Sequence, residues 1–342
     1  MSGSLPASRE LFRQPGGLMG AMRSIQVSEN GGPEVLKYVE VPDPRIGPEQ
    51  LLVDVDASGV NYIDVYFRIG RYPQPLPYIP GSEGTGVVAE VGSAVTEFAV
   101  GDRVAWAAAP GSYAERVAVN AAVAIRVPDG VAPETAASVL LQGMTAHYLL
   151  NSIYEPKPGE SVLVHAGAGG TGLFLTQLAV AKGARVITTV SSDEKEALSR
   201  EAGAAEVLRY GDDLAERVRK LTDGVGVAAV YDGVGASTFE ASLASLRVRG
   251  MLALFGAASG PVPPFDLQRL NPAGSVFVTR PTLAHYTRDR AELVWRAGDV
   301  FNAIADGTLR VRTGASYPLA EAAQAHHDLE ARKTTGSIVL RP

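Results

Sequence analysis

Residues 161–172 read SVLVHAGAGGTG, and the helical pattern GLFLTQLAVA continues from position 172 to 181. A buried strand that leads directly into Gly167-x-Gly169-x-x-Gly172 and then into a helix matches the dinucleotide-binding turn G-x-G-x-x-G. One glycine allows the tight bend, the next lets the backbone approach a pyrophosphate, and the third lets the helix pack closely. The helix N-terminus adds unpaired N–H groups and partial positive charge. The stretch therefore predicts a dinucleotide site, with a merely tight turn as the alternative.

The sequence on either side of this turn predicts an α/β protein of two kinds of domain. From about residue 161 to 254, strand and helix patterns alternate, which indicates βαβ units and a parallel sheet. From 22 to about 139, short apolar alternations are broken by Pro and Gly turns, which is typical of a turn-rich β domain. After position 281, a long helical pattern and a final helix and strand indicate a return to the first domain.

The end of the second strand of the α/β unit favours NADP(H). NAD-binding versions place an acidic residue about 20 residues after the glycine turn to hold the ribose hydroxyls. Here the strand ends at Val190, and Ser191, Ser192 and Lys195 follow without a carboxylate at the strand tip. This arrangement suits a 2′-phosphate. The alternative is that Ser191 and Glu194 form a capping box while Lys195 is simply solvated.

Composition narrows the function classes. The 342 residues suggest about two domains, and 46% hydrophobic with 20% charged residues is typical of a soluble globular protein. A net charge of −6 makes nucleic acid a poor partner, and zero Cys excludes disulfides, thiolate nucleophiles and cysteine-bearing zinc sites. No apolar run reaches the length of about 18 residues that spans a bilayer. We expect residues 1–21 to be a flexible extension and the protein to be cytoplasmic.

These features together resemble the quinone oxidoreductases related to zeta-crystallin, within the zinc-independent medium-chain dehydrogenases/reductases. The likeness runs from Met22 to Pro342 and is most specific at Gly159-Glu160, Leu163, the glycine turn and Gln177. It departs at Val180, where that pattern usually has a basic or small polar residue. Further matching stretches are GGPEVL, GVNYIDVYFRIGRYP, PGSEGTGVV, VTRP and TTGSIVL.

The resemblance implies a domain plan and a set of site residues. The plan is a GroES-like β-rich catalytic domain at 22–145, a Rossmann NADP-binding domain at 146–284 and a return to the GroES-like domain at 285–342. Asn61, Asp64 and Tyr66 would face the nicotinamide, with Tyr72 near the substrate opening. The remaining NADPH contacts that it implies, together with those read from the turn and the strand tip, are Gly167, Gly169, Gly170, Thr171, Gly172, Ser191, Ser192, Lys195, Tyr210, Phe255, Gly256, Ala257, Arg280 and Gly336.

The resemblance and the missing zinc ligands together predict an NADPH:quinone oxidoreductase that needs no metal. The zinc-ligand segment Gly-His-Glu of the alcohol dehydrogenases resembles Gly81-Ser82-Glu83 here. Asn61, Tyr66 and Tyr72 are the candidates for positioning the acceptor and its developing oxyanion. We expect the histidines to be core, surface or isolated residues rather than metal ligands. The alternatives are an enone or alkenal double-bond reductase and a non-catalytic crystallin-like or RNA-binding protein. We also expect a homodimer, with Ser275–Val278 as the pairing strand.

Overall fold

The structure is a computed structural model that describes residues 20–107 and 109–342. Most of the predicted N-terminal extension, residues 1–19, lies outside the described residues. The first strand begins at Ala21, one residue before the predicted start of the folded domain.

The N-terminal half is mainly β-structure and ends in a long helix. Its elements are β1 (Ala21–Gln26), β2 (Lys37–Pro42), β3 (Gln50–Val60), α1 (Tyr62–Arg68), β4 (Glu83–Val91), β5 (Arg103–Trp106), β6 (Arg116–Asn120), β7 (Ile125–Arg126) and α2 (Pro133–Tyr148). A π-helical turn at Leu149–Ile153 extends α2, and short 3-10 helices occupy Pro33–Val35 and Ala121–Val123.

The C-terminal half alternates strands with helices before it returns to β-structure. Its elements are β8 (Ser161–Val164), α3 (Gly170–Ala181), β9 (Arg185–Val190), α4 (Asp193–Glu201), β10 (Glu206–Arg209), α5 (Leu214–Leu221), β11 (Val227–Asp232), α6 (Phe239–Ser245), β12 (Leu246–Leu254), β13 (Phe277–Thr279), α7 (Leu283–Tyr286), α8 (Arg290–Ala305), β14 (Thr313–Pro318), α9 (Ala322–Glu330) and β15 (Ser337–Arg341). Short 3-10 helices occupy Leu267–Leu270 and Leu319–Glu321.

The α/β unit is a parallel sheet in the order β10-β9-β8-β11-β12-β13. Every neighbouring pair in it is parallel. In order of appearance the strands read 3-2-1-4-5-6, which is the Rossmann order. The predicted Rossmann domain class is thereby confirmed. The direction of winding reverses between β8 and β11, and ligands of such sheets bind at the carboxyl ends of the strands beside that point.

The second large sheet combines strands from both ends of the chain. Its order is β14-β15-β3-β4-β5-β7, and β6 pairs with β3. The pair β14–β15 is parallel, and the remaining pairs are antiparallel. Strand β15 lies beside β3, so the C-terminal strand completes the sheet that the N-terminal half begins. The GroES-like β-rich fold class that the sequence predicted is confirmed.

Helix α2 connects the two sheets. It is buried along most of its length, because it packs on β3 and β4 on one side and on α3 and α8 on another. Its residues Val139, Leu140 and Met144 join strand residues of the parallel sheet in the largest apolar core. Burial of several such side chains at about 25 cal/mol per Å² fixes the two sheets relative to each other.

Strand β13 forms one edge of the parallel sheet. The predicted strand at 275–278 begins two residues later, at Phe277, because Ser275 has a φ of 52° that ends any extended run. Phe277 is 57% exposed and Val278 is 37% exposed. An apolar, unpaired edge of this kind favours pairing with another strand.

Candidate functional site

One cavity of about 1370 Å³ lies between the two large sheets. It follows the carboxyl ends of the parallel strands and reaches α1 and the loop after it. Most of the predicted site residues line it, namely Asn61, Asp64, Tyr66, Tyr72, Gly169, Gly170, Thr171, Gly172, Ser191, Lys195, Tyr210, Phe255, Gly256, Arg280 and Gly336. Three predicted residues are absent from the lining: Gly167, Ser192 and Ala257. That each lining residue contacts a cofactor stays a prediction.

The glycine turn presents backbone rather than side chains to this cavity. Helix α3 begins at Gly170, and its N-cap Gly169 supplies no side-chain cap. The first N–H groups of α3 are therefore free to bind an anion. A Cβ on Gly172 would lie 2.2 Å from the carbonyl oxygen of Ala166, so only glycine lets the helix approach the turn this closely. This geometry fits a pyrophosphate.

Gln142 of α2 lies against the same turn and was not found by sequence reasoning. A Cβ on Gly170 would lie 1.8 Å from its Oε1 atom. Both polar atoms of its amide group are hydrogen-bonded. Nε2 donates to Asn61 Oδ1 at 3.0 Å, and Oε1 accepts from Ser337 Oγ at 2.9 Å. Gln142 thus connects the turn, the Asn61 end of the cavity and the last strand.

Three cations converge at the other end of the cavity. Lys195 Nζ donates to the carbonyl of Arg332 at 2.7 Å and lies 3.5 Å from Ser191 Oγ. Burial, then the neighbouring Arg332 charge, lowers the pKa of Lys195. Arg332 and Arg209 also line the cavity, and neither was predicted from the sequence.

Arg209 is the third cation at this end, and one of its nitrogen atoms has no hydrogen-bond partner among the described residues. In the part of the chain that the structure describes, its Nη1 atom is buried without a hydrogen-bond partner. Its Nη2 atom is engaged by Asp193 at 2.6 Å and by Glu196 at 2.8 Å. A buried guanidinium N–H without a partner is costly. Arg209 adds positive charge to the cavity wall near Lys195, and Asp193 and Glu196 offset part of that charge.

Helix α4 settles the capping alternative. Its N-cap is Ser192, whose Oγ accepts from Lys195 N at 3.3 Å, so the alternative in which Ser191 caps this helix is wrong. Ser191 lies on the cavity and Ser192 does not. Tyr210, also on the cavity, accepts from the Ala166 N–H at 3.0 Å and so connects this end to the glycine turn.

At the opposite end, Asn61 is held by a buried carboxyl group. Its Nδ2 donates to Glu83 Oε2 at 2.8 Å, and Glu83 Oε1 accepts from Leu141 N at 2.8 Å. Burial raises the pKa of Glu83 to about 8 against the opposing effect of these hydrogen bonds. With Glu83 on one side and Gln142 on the other, the Asn61 amide has one orientation. One amide N–H of Asn61 is left for a ligand.

Asp64 lies directly beneath this end and is 1% exposed. It accepts hydrogen bonds from the backbone N–H of Asn61 at 2.9 Å, from Ser82 Oγ at 3.0 Å and from the Tyr113 hydroxyl at 3.3 Å. Burial raises its pKa to about 6, while these hydrogen bonds oppose the shift. Asp64 and its hydrogen-bond partner Ser82 both line the cavity.

The hydroxyl group of Tyr66 bridges the two sides of the cleft. It accepts from the backbone N–H of Ala257 at 3.0 Å, and its own proton remains available for donation. Arg71 Nη1 donates to the Ala257 carbonyl at 3.1 Å and lies 4.6 Å from the Tyr66 ring centroid. Tyr72 packs edge-on against Tyr66 with centroids 5.6 Å apart. Ala257 thus supports the site through its backbone.

Arg280 and the histidines have mainly structural partners. Arg280 Nη1 donates to the Phe255 carbonyl at 2.9 Å and so fixes the rim of the cavity.

His165 and His326 are buried and hydrogen-bonded to neighbouring side chains. Over residues 20–107 and 109–342, no group of three or more His, Asp or Glu side chains is placed to hold a metal ion. No helix in the same ranges is long and apolar enough to cross a membrane.

A Rossmann sheet, a GroES-like domain and a dinucleotide-shaped cleft at the switch point define a medium-chain dehydrogenase/reductase. Family models agree: "Alcohol dehydrogenase GroES-like domain" matches residues 47–129, and "Zinc-binding dehydrogenase" matches residues 170–292.

Individual relatives narrow the class. A quinone oxidoreductase of Pseudomonas aeruginosa is 47% identical over 323 residues, covering 94% of this chain and 99% of the relative. A mycobacterial protein solved in complex with NADPH is 58% identical with a TM-score of 0.92, covering 94% of this chain and 100% of that one. A 2-haloacrylate reductase of Burkholderia is 40% identical over 326 residues, covering 92% of this chain and 98% of the relative. The chain belongs to the quinone oxidoreductase family of the medium-chain dehydrogenases/reductases, as the sequence predicted.

Proposed function

We propose that this chain reduces quinones with NADPH and uses no metal. One observation carries the proposal: a single cavity joins a cationic pocket suited to a 2′-phosphate to an end lined by neutral hydrogen-bond donors. The quinone oxidoreductase of Pseudomonas aeruginosa and the NADPH complex of the mycobacterial protein support it.

Different residues of the chain would bind different parts of NADPH. Lys195, Arg209 and Arg332 would hold the 2′-phosphate, and the first N–H groups of α3 would hold the pyrophosphate. Bound in this cavity, NADPH supplies a hydride from its nicotinamide ring. The remaining task of the protein is to hold an acceptor in line and to exclude water.

The neutral end suits an acceptor that gains negative charge on oxygen. Asn61 has a free amide N–H, and Tyr66 has a hydroxyl proton that is not used by its contact with Ala257. Burial raises the pKa of Tyr66, so it stays protonated at neutral pH and can donate. Tyr72 lies beside it at the opening. Fixed donors of this kind stabilise a developing oxyanion.

The metal-free character rests on the sequence. Zero Cys removes the thiolate ligands of zinc dehydrogenases, and Ser82 stands in the segment that resembles their histidine ligand. We therefore expect EDTA to leave turnover unchanged. Chelator-sensitive oxidation of an alcohol would contradict both this point and the proposed reaction.

The decisive experiment is NADPH oxidation over matched acceptors. Purified protein is assayed with para- and ortho-quinones, with simple enones and alkenals, and with 2-haloacrylate. We expect quinones to give the highest kcat/KM. Oxidation of NADPH with enones and with no quinone would instead favour the second candidate, an alkene reductase, which the Burkholderia relative supports. Failure with every acceptor would favour a non-catalytic role. A salt-dependent gel shift would test RNA binding, which the net charge of −6 disfavours.

We further propose that the protein is a homodimer whose parallel sheets meet at β13. The support is the apolar, exposed edge at Phe277 and Val278. Light scattering at micromolar concentration tests this, because a monomeric mass would contradict it. The cytoplasmic location stays a prediction.

A further inference from the structure

The proposed reduction leaves a requirement that hydride delivery does not meet. When a quinone carbonyl accepts a hydride equivalent, one oxygen becomes anionic and needs a proton. Hydrogen-bond donors such as Asn61 can stabilise that charge, but an amide does not release a proton. The protein therefore has to supply a group that holds a proton near neutral pH and reaches the cavity.

The pair Ser82 and Asp64 meets both conditions. Ser82 lies on the cavity wall, and its Oγ is 3.0 Å from Asp64 Oδ1. Asp64 also lines the cavity, but it is only 1% exposed, whereas Ser82 is partly exposed, so the Ser82 hydroxyl is the more accessible group of the pair. The contact is direct, with hydrogen-bond geometry on both partners.

The surroundings of Asp64 allow either protonation state. The groups that face it are Tyr113, whose hydroxyl donates to it, and the nearby Glu83 and Tyr78. The nearest cation, Arg68, is separated from it by His326 and Tyr113 and is paired with Glu330. Burial favours the neutral acid, and the hydrogen bonds accepted from Asn61, Ser82 and Tyr113 favour the carboxylate. The balance raises the pKa of Asp64 to about 6.

The direction of the Ser82 hydroxyl depends on that state. When Asp64 is ionised it can only accept, so the Ser82 proton points at Asp64 and away from the cavity. When Asp64 is protonated, its O–H can donate to Ser82 Oγ, and the Ser82 proton is then free to point into the cavity. Protonation of one buried group thus determines whether the cavity contains a hydroxyl donor at this position.

We propose that Ser82 is the catalytic proton donor to the reduced acceptor and that Asp64 is the acid that replenishes it. The proposal rests on the quinone reduction proposed above. The Ser82 O–H bond breaks as the new O–H bond forms on the acceptor oxygen, while the Asp64 proton passes to Ser82 Oγ. The hydride from the reduced nicotinamide and this proton together balance the reduction of quinone to hydroquinone. Asp64 is left ionised and regains a proton from solvent before the next turnover.

The kinetic test uses Ser82→Ala, Ser82→Thr and Asp64→Asn, with Ser93→Ala as a control on an exposed turn outside the cavity. General acid catalysis contributes about 100-fold or more. We expect Ser82→Ala and Asp64→Asn to lower quinone kcat about 100-fold, and Ser82→Ala to leave the Kd for NADPH unchanged. Ser82→Thr keeps the hydroxyl and should recover most of the rate.

The pH profile separates proton donation from simple positioning. Because the reaction uses protonated Asp64, we expect wild-type kcat to fall as pH rises above about 6. Ser82→Ala and Asp64→Asn should lose this limb, whereas Ser82→Thr and Ser93→Ala should keep it. Tyr66→Phe should lower the rate and still keep the limb. An unchanged rate or an unchanged limb in Ser82→Ala would overturn the proposal.

An infrared titration of the cofactor-free protein provides a readout that does not depend on turnover. We expect a carboxylic-acid carbonyl band that titrates near pH 6, disappears in Asp64→Asn and shifts in Ser82→Ala. The second buried acid, Glu83, should titrate separately, since its pKa is raised to about 8. An Asp64→Asn spectrum identical to that of the wild type would refute the assignment of Asp64 as the acid that replenishes Ser82. Failure of the wild type to reduce any quinone would instead refute the proposed function.

Discussion

The cofactor preference can be tested at Lys195. Its ammonium group lies on the cavity with Ser191 and Arg332, and no carboxylate stands at the strand tip that precedes it. Lys195→Ala removes one charge-assisted hydrogen bond to a 2′-phosphate, worth about 1.5–3 kcal/mol. This corresponds to a loss of roughly 10- to 100-fold in NADPH affinity. NADH has no 2′-phosphate, so its affinity should change little.

The measurement is a fluorescence or calorimetric titration of both cofactors at fixed salt. Lys182→Ala is a matched control, because Lys182 pairs with Glu155 outside the cavity. Arg332→Gly is a second probe: Arg332 has a φ of 58°, so glycine removes the guanidinium without adding backbone strain. It should also weaken NADPH selectively. Equal losses for NADPH and NADH in Lys195→Ala would refute the assignment of this pocket to the phosphate.

The remaining predictions concern packing, pH and assembly. Gly170→Ala would place a methyl group against the Gln142 amide and should cost about 1–3 kcal/mol in urea unfolding, with weaker NADPH binding. Burial raises the folded-state pKa of Glu83 from 4.5 to about 8. The folded protein therefore loses stability as the pH rises from about 4.5 to 8, because the buried carboxyl group has to ionise. The Tm of the wild type should fall over this pH range, and the Tm of Glu83→Gln should fall less. Tyr66→Phe should lower kcat/KM for quinone by an amount that corresponds to about 1–3 kcal/mol of lost transition-state stabilisation. The Kd for NADPH should change little. Phe277→Asp should give a monomeric mass by light scattering if β13 pairs two copies, and a wild-type monomer would contradict that prediction.

The fold was predictable because its signals are local. The glycine turn, the alternation of strands with helices and the apolar content of each strand all occur within short windows of sequence. Their order along the chain then leaves few topologies for a parallel sheet. The observed order β10-β9-β8-β11-β12-β13 is the one that such a pattern predicts.

The site was predictable only where a motif or the family resemblance named a residue. Gln142 is 81 positions from Asn61, and Arg332 is 137 positions from Lys195. Gln142 lies on a helix and Arg332 lies just after one, and no local sequence motif identifies either of them as a site residue. The sequence also did not show which of Ser191 and Ser192 caps the helix. The strand ends in a buried Val190, and a single further residue determines which serine faces the cavity and which caps the helix.

The hydrogen bonds of Gln142 explain why the two ends of the cavity should not be treated as independent. Its side chain touches the turn at Gly170, holds the Asn61 amide and accepts from Ser337, which follows the segment that pairs with the turn at Gly169. A shift of the turn would therefore reorient Asn61 without any change to Asn61 itself. Because residues within one hydrogen-bonded network act non-additively, substitutions at the pyrophosphate turn should change acceptor positioning as well as cofactor affinity.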